Sequence, residues 1–175
     1  MTKNQTLLII DAQINMFNED FSIYQANQII KRLQYLVKQA RSNNVPVIWV
    51  RNNGGKGDPD EPGTQGWKIH PLLKPMKGEV VVDKYEPSAF KDTNLLLILK
   101  QNKITDLVIA GMQTEICINS TVRQALEFGF NVIIVEDGHS TFDSEELKAV
   151  EIIEKFNNEF KEIAKIEKTG DSLFQ

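Results

Sequence analysis

The chain has 175 residues, a formal net charge of −4 and a single cysteine. That length suits one domain spanning residues 1–175 with a sizeable core, and the lone cysteine excludes an internal disulfide and suits a reducing cytoplasm. No basic run marks a nucleic-acid or anionic-membrane partner, apolar stretches such as 95–99 and 132–135 are too short to span a bilayer, and the opening MTKNQTLLIID lacks the pattern of a signal peptide.

In chain order, apolar runs rich in Ile and Val predict buried strands at 6–10, 45–50, 79–82, 106–110 and 131–135, with a weaker sixth at 162–167. Helices are expected between them. Residues 25–43 place Ile29, Ile30, Leu33, Leu36, Val37 and Ala40 on one stripe. Residues 93–101 and 115–128 form two more, the latter stopped by Gly129. A fourth starts at Asp143, where Glu146 three residues on matches a capping box. The alternation predicts a three-layer α/β/α sandwich with a mostly parallel sheet of five to six strands. Only 52–77 breaks the rhythm. It is rich in Gly, Pro and Asp, yet it carries Trp67, Ile69, His70 and Leu72, as an ordered lid or wall would.

Ligands of open α/β sheets bind beyond the carboxyl ends of the strands. The polar residues just after each apolar run are therefore the candidates. Asp11 follows the first, Arg51 the second, Lys84 the third, and Gly111-Met112-Gln113-Thr114-Glu115-Ile116-Cys117 the fourth. A carboxylate, an ammonium and the only thiol thus fall on one sheet edge. Cys117 sits near a helix start, where free N–H groups and the helix dipole favour a thiolate, with Lys84 adding positive charge. Asp11 is placed to take the thiol proton, the nucleophile–base arrangement of covalent catalysis. Each residue also has a bland reading: a buried inert thiol, a solvated strand end, a surface lysine.

The segments LLIIDAQ (7–13), VVDKYEPSAF (81–90) and VIAGMQTEICINSTVRQALEFGFNVIIVEDG (108–138) resemble the isochorismatase-like, or cysteine hydrolase, superfamily, and GWKIHPLLKP (66–75) is similar to its linker region. The resemblance runs over nearly the whole chain. It implies a catalytic triad of Asp11, Lys84 and Cys117. It also implies a cis peptide at Met112–Gln113 and an oxyanion hole made by the N–H groups of Gln113 and Cys117. The activity implied is cysteine-dependent hydrolysis of the C–N bond in a small amide, imide, N-carbamoyl compound or lactam through a thioester. The alternatives are a vinyl-ether hydrolase of the isochorismatase type and a non-catalytic binding protein. Phe17, Trp67, Tyr85, Phe90 and Ile116 are the expected pocket residues. Nicotinamidases of the superfamily hold a metal with an Asp and two His after the second strand. Here that region reads Arg51-Asn52-Asn53-Gly54 and the chain has two histidines, His70 and His139, so neither metal nor cofactor is expected. The resemblance further implies a homodimer or larger homo-oligomer. A receiver domain would need paired acidic residues where Asp11-Ala12-Gln13 stands, and neither nucleotide-binding glycine motif is present.

Overall fold

The computed structural model describes residues 4–18 and 20–174; Met1, Thr2 and Lys3, part of the segment read above for a leader, lie outside them. The apolar runs become β1 (Gln5–Ile10), β2 (Val47–Asn52), β3 (Val80–Lys84), β4 (Asp106–Met112), β5 (Asn131–Ser140) and β6 (Lys165–Glu167). All pair in parallel in one sheet of order β3-β2-β1-β4-β5-β6. Four helices cross between strands: α1 (Ala26–Ser42), α2 (Leu95–Gln101), α3 (Asn119–Glu127) and α4 (Ala149–Lys161). Leu7 and Ile9 of β1 face a core shared with the expected stripe of α1, from Ile29 to Ala40. Leu8 and Ile10 face a second core with Leu95 and Leu99 of α2, Val122 and Ala125 of α3, and Phe160 of α4. These two layers account for the unbroken burial of β1, since a parallel strand covered on both faces has no solvent side.

The chain winds from β1 outward to β3 and then returns to β4 and winds the other way, so the order reverses between β1 and β4. Their carboxyl ends form the switch-point crevice where open sheets place ligands. Backbones approach closely there. Gly111 of β4 lies opposite Ile10 with φ +129°, and a Cβ on it would come within 2.0 Å of the Ile10 carbonyl oxygen.

Several boundaries differ from expectation in ways that bear on the site. β2 and β3 run two residues further than their apolar runs, because Arg51 pairs with Asp83 and Asn52 with Lys84 in the ladder. β5 does not stop at Val135. It bulges through Glu136-Asp137-Gly138 and rejoins β4 at His139 and Ser140, with Gly138 packed too tightly against Val135 to carry a side chain. The helix expected at Asp143 begins at Ala149. Ser144 instead closes a local turn with Leu147, and the Asp143 carboxylate reaches forward to accept from the Ala149 N–H at 2.8 Å. α4 then extends through Lys161, leaving only Lys165–Glu167 for the last strand. Segment 52–77 is ordered. Ile14 N–H donates to the Lys68 carbonyl, His70 N–H to that of Ala12, and Gln13 bridges Ile69, so the segment forms a wall beside Asp11.

Candidate active site

Asp11 is the first residue past β1. Its φ of +50° is a left-handed value that short polar residues tolerate best, and its N–H still donates to the Val50 carbonyl of the neighbouring strand at 2.9 Å. Lys84 ends β3, two strands away. Its side chain is fully buried, at 0% exposure. Three hydrogens are available on an ammonium, and three acceptors surround Nζ: Asp11 Oδ2 at 3.0 Å, Asn52 Oδ1 at 2.9 Å and Cys117 Sγ at 3.3 Å. Cys117 lies in a π-helical turn (Thr114–Ile118) that joins β4 to α3, directly after the cis peptide Met112–Gln113. Asp11, Lys84 and Cys117 are thus brought together from three elements 73 and 33 residues apart in sequence, by the register of β1, β3 and β4.

Burial governs the electrostatics. It raises the Asp11 carboxyl above the usual carboxylate range, against the opposing pull of Lys84. Burial alone would lower Lys84, but Asp11 and Cys117 outweigh it and the ammonium is held. The thiol is pushed up to about 12, first by burial and then by the Asp11 charge, with Lys84 pulling the other way. This corrects the expectation of a ready thiolate. At rest the thiol therefore keeps its proton beside the Lys84 ammonium. Among the described residues Asp11 Oδ1 is buried without a hydrogen-bond partner. A proton passing from Sγ to Asp11 moves the negative charge to sulfur without adding to it.

The turn that carries Cys117 is fastened from behind. Asn157 of α4 gives its Nδ2 to the Glu136 carbonyl, so its Oδ1 faces His139 Nε2 at 2.9 Å. That nitrogen donates, and Nδ1 accepts from the Thr114 hydroxyl at 2.9 Å. Burial lowers His139 to about 4, so it stays neutral in this relay. Glu115 accepts from Thr141 at 2.8 Å. Among the described residues the Gln113 N–H meets no acceptor.

The expected wall residues divide. Ile116 is exposed next to Cys117, and Tyr85, at 72% exposure, follows Lys84. Phe17 packs edge-on against His70 at 5.0 Å. Trp67 lies under the Arg51 guanidinium, 3.5 Å from its ring centre, and donates to Asn53. Phe90 is a correction: it belongs to the second core, against Phe128 and Phe130, because Ala89 and Phe90 turn inward behind β3. Sequence reasoning passed over Gln13, Asn52 and Asp60. Asn52 is the polar residue that ends β2, as Lys84 ends β3, and that parity was the available signal. Among the described residues no three His, Cys, Asp or Glu side chains converge on a possible metal position. Where nicotinamidases place metal ligands, the Asn52 amide is already committed to Lys84 and Asp60.

Comparison with known proteins places the chain in one family over most of its length. The isochorismatase domain matches residues 5–167. A streptothricin hydrolase from Streptomyces noursei is 34% identical over 79% of this chain, and the chain spans about half the length of that relative, 50% of it. N-carbamoylsarcosine amidase from an Arthrobacter species is 33% identical over 65% of this chain and 50% of its own. The crystal structure of an isochorismatase from Pseudomonas putida KT2440 superposes with a TM-score of 0.89 at 27% identity, covering 96% of this chain and 90% of the other. Sheet order, switch-point crevice and family match coincide, and the chain belongs to the isochorismatase family.

Proposed function

We propose that this protein is a cysteine hydrolase that cleaves the C–N bond of a small amide-like substrate: an amide, imide, N-carbamoyl compound or lactam. The observation that carries the reading is the buried Lys84 ammonium held 3.0 Å from Asp11 and 3.3 Å from Cys117. A buried cation shared by a carboxylate and a thiol is costly unless it serves the pair.

Asp11 takes the Cys117 proton as Sγ attacks the carbonyl carbon, so the thiolate forms only with substrate in place. Charge then develops on the carbonyl oxygen, where the N–H groups of Gln113 and Cys117 receive it. Protonated Asp11 gives its proton to the departing amine, the C–N bond breaks, and a thioester remains. Asp11 next takes a proton from water, whose oxygen attacks the thioester, and release of the acid restores the thiol. A positioned acid–base group of this kind contributes about 10²–10⁴-fold. Lys84 balances the single negative charge wherever it resides. The scheme calls for no cofactor. The relatives named for streptothricin hydrolysis and N-carbamoylsarcosine amidase activity support amide chemistry. A homo-oligomeric assembly in a reducing cytoplasm completes the proposal.

The test is a panel of small amides, N-carbamoyl amino acids, cyclic imides and lactams, read by ammonia or amine release. Cys117→Ala should abolish turnover. Asp11→Asn should be nearly as damaging, and the double variant no worse than either single one, because the residues act as a unit. Losses that multiply, or turnover retained by Cys117→Ala, would refute the triad.

A further inference from the structure

Lys84 has one partner that the proposed mechanism leaves unused. Asn52 offers it Oδ1 at 2.9 Å, and the amide cannot turn over, because its Nδ2 donates to Asp60 Oδ2 at 2.7 Å. Its backbone is clamped as well. The Gln13 side chain accepts from Asn52 N–H at 2.8 Å and donates to the Asn52 carbonyl at 2.9 Å, while the same Nε2 donates to the Trp67 carbonyl. Asp60 is nearly buried and has its own seat. Its carbonyl accepts from Gly54 N–H, and its Oδ1 occupies the space above Gly54, where a Cβ would lie 2.2 Å away. Segment 52–77 thus delivers an acidic group whose described side-chain bond is to the amide holding Lys84.

We infer that Asn52, oriented by Asp60, is a positioning residue that keeps the Lys84 ammonium between Asp11 and Cys117 rather than collapsed onto the carboxylate. An ammonium shared in a buried cluster between a carboxyl group and a thiol moves toward the stronger acceptor, the carboxyl oxygen. The neutral amide supplies the third point that holds Nζ within reach of sulfur. Loss of it leaves the thiolate without its counter-charge. Asp60 acts through the amide, and Gly54 is small so that Asp60 can reach it. This role rests on the triad reading but extends it to residues that touch no reacting atom.

The experiment reads the thiol directly and needs no substrate: the rate of Cys117 alkylation by iodoacetamide as a function of pH, for folded protein confirmed by circular dichroism. Asn52→Ala should move the profile to higher pH and slow labelling at pH 9 about tenfold. Asp60→Ala should do the same, and Asp60→Asn, which can still accept from Nδ2, should recover most of the loss. Gly54→Ala should also slow labelling by displacing Asp60, and it is the deciding variant if Asn52→Ala fails to fold. Profiles for Asn52→Ala or Gly54→Ala that overlay the parent would overturn the inference. Failure of the amide panel would instead count against the hydrolase reading alone, since labelling does not depend on it.

Discussion

At the scale of single residues, the charge count around Lys84 decides the chemistry. Because the thiol is pushed up to about 12 by burial and by Asp11, the parent protein should alkylate slowly at pH 7 and faster as pH rises. Asp11→Asn removes the repelling carboxylate while leaving Lys84 in place, so it should speed alkylation, by about tenfold per unit that the thiol falls, while turnover disappears. Labelling that slows in this variant would mean that Asp11 already draws the proton in the resting site. His139 makes the second residue-scale prediction. Burial lowers it from an ordinary 6.5 to about 4, so the unfolded chain binds the proton more readily than the folded one. Its contribution is full above pH 6.5 and is lost as pH falls toward 4, an amount of roughly 3 kcal/mol. Urea unfolding midpoints for the parent and His139→Asn should therefore converge between pH 7 and pH 4.5. Parallel midpoints would show that the Thr114–His139–Asn157 relay is not set by protonation.

At the scale of elements, the site depends on how β1 and β4 meet. Gly111 lies over the backbone of Ile10, the residue before Asp11, and stands three residues before the turn that carries Cys117. A methyl group there meets backbone on the facing strand, which has nowhere to give, and φ of +129° is hostile to any L side chain. Gly111→Ala should cost about 3 kcal/mol or more in a urea titration and should abolish turnover even where the protein folds, because it separates Asp11 from Cys117. Gly129, with φ +83° and open space around it, is the contrast. It ends α3 at the surface, and Gly129→Ala should cost about 1 kcal/mol and leave turnover intact. Equal losses at the two glycines would show that close approach of β1 and β4 is not what requires Gly111.

At the scale of the whole molecule, some of the exposed apolar side chains lie on segments next to the site. Phe21, at 68% exposure, stacks on Phe142 with ring centres 4.6 Å apart, and Ile116, Tyr85 and Tyr24 are exposed as well. Exposed aromatic groups of this kind usually mark contacts, and a closed symmetric assembly would cover them. Multi-angle light scattering at micromolar concentration should report a dimer or larger species, and Phe21→Glu should shift it toward monomer. A monomeric parent would remove the assembly from the proposal. Among the described residues no helix is long and apolar enough to cross a membrane.

The sequence alone determined the layer order and the triad's candidates, because both are written in local signals. Runs such as LLII and VIIV have no polar face and must be sandwiched, and the charged residue that ends each run must lie at the sheet's carboxyl edge. It could not show that Asp143 would cap its helix from six residues away, that β5 would bulge rather than stop, or that Phe90 would turn into the core, since each depends on a partner distant in sequence. The state of Cys117 was likewise beyond it. A helix start and a lysine argue for a thiolate, whereas the burial and the facing carboxylate that reverse the balance exist only once β1, β3 and β4 are in register. Asn52 shows the same division: its position after β2 is legible, but its amide acquires a direction only when the 52–77 wall folds back and brings Asp60 to its nitrogen.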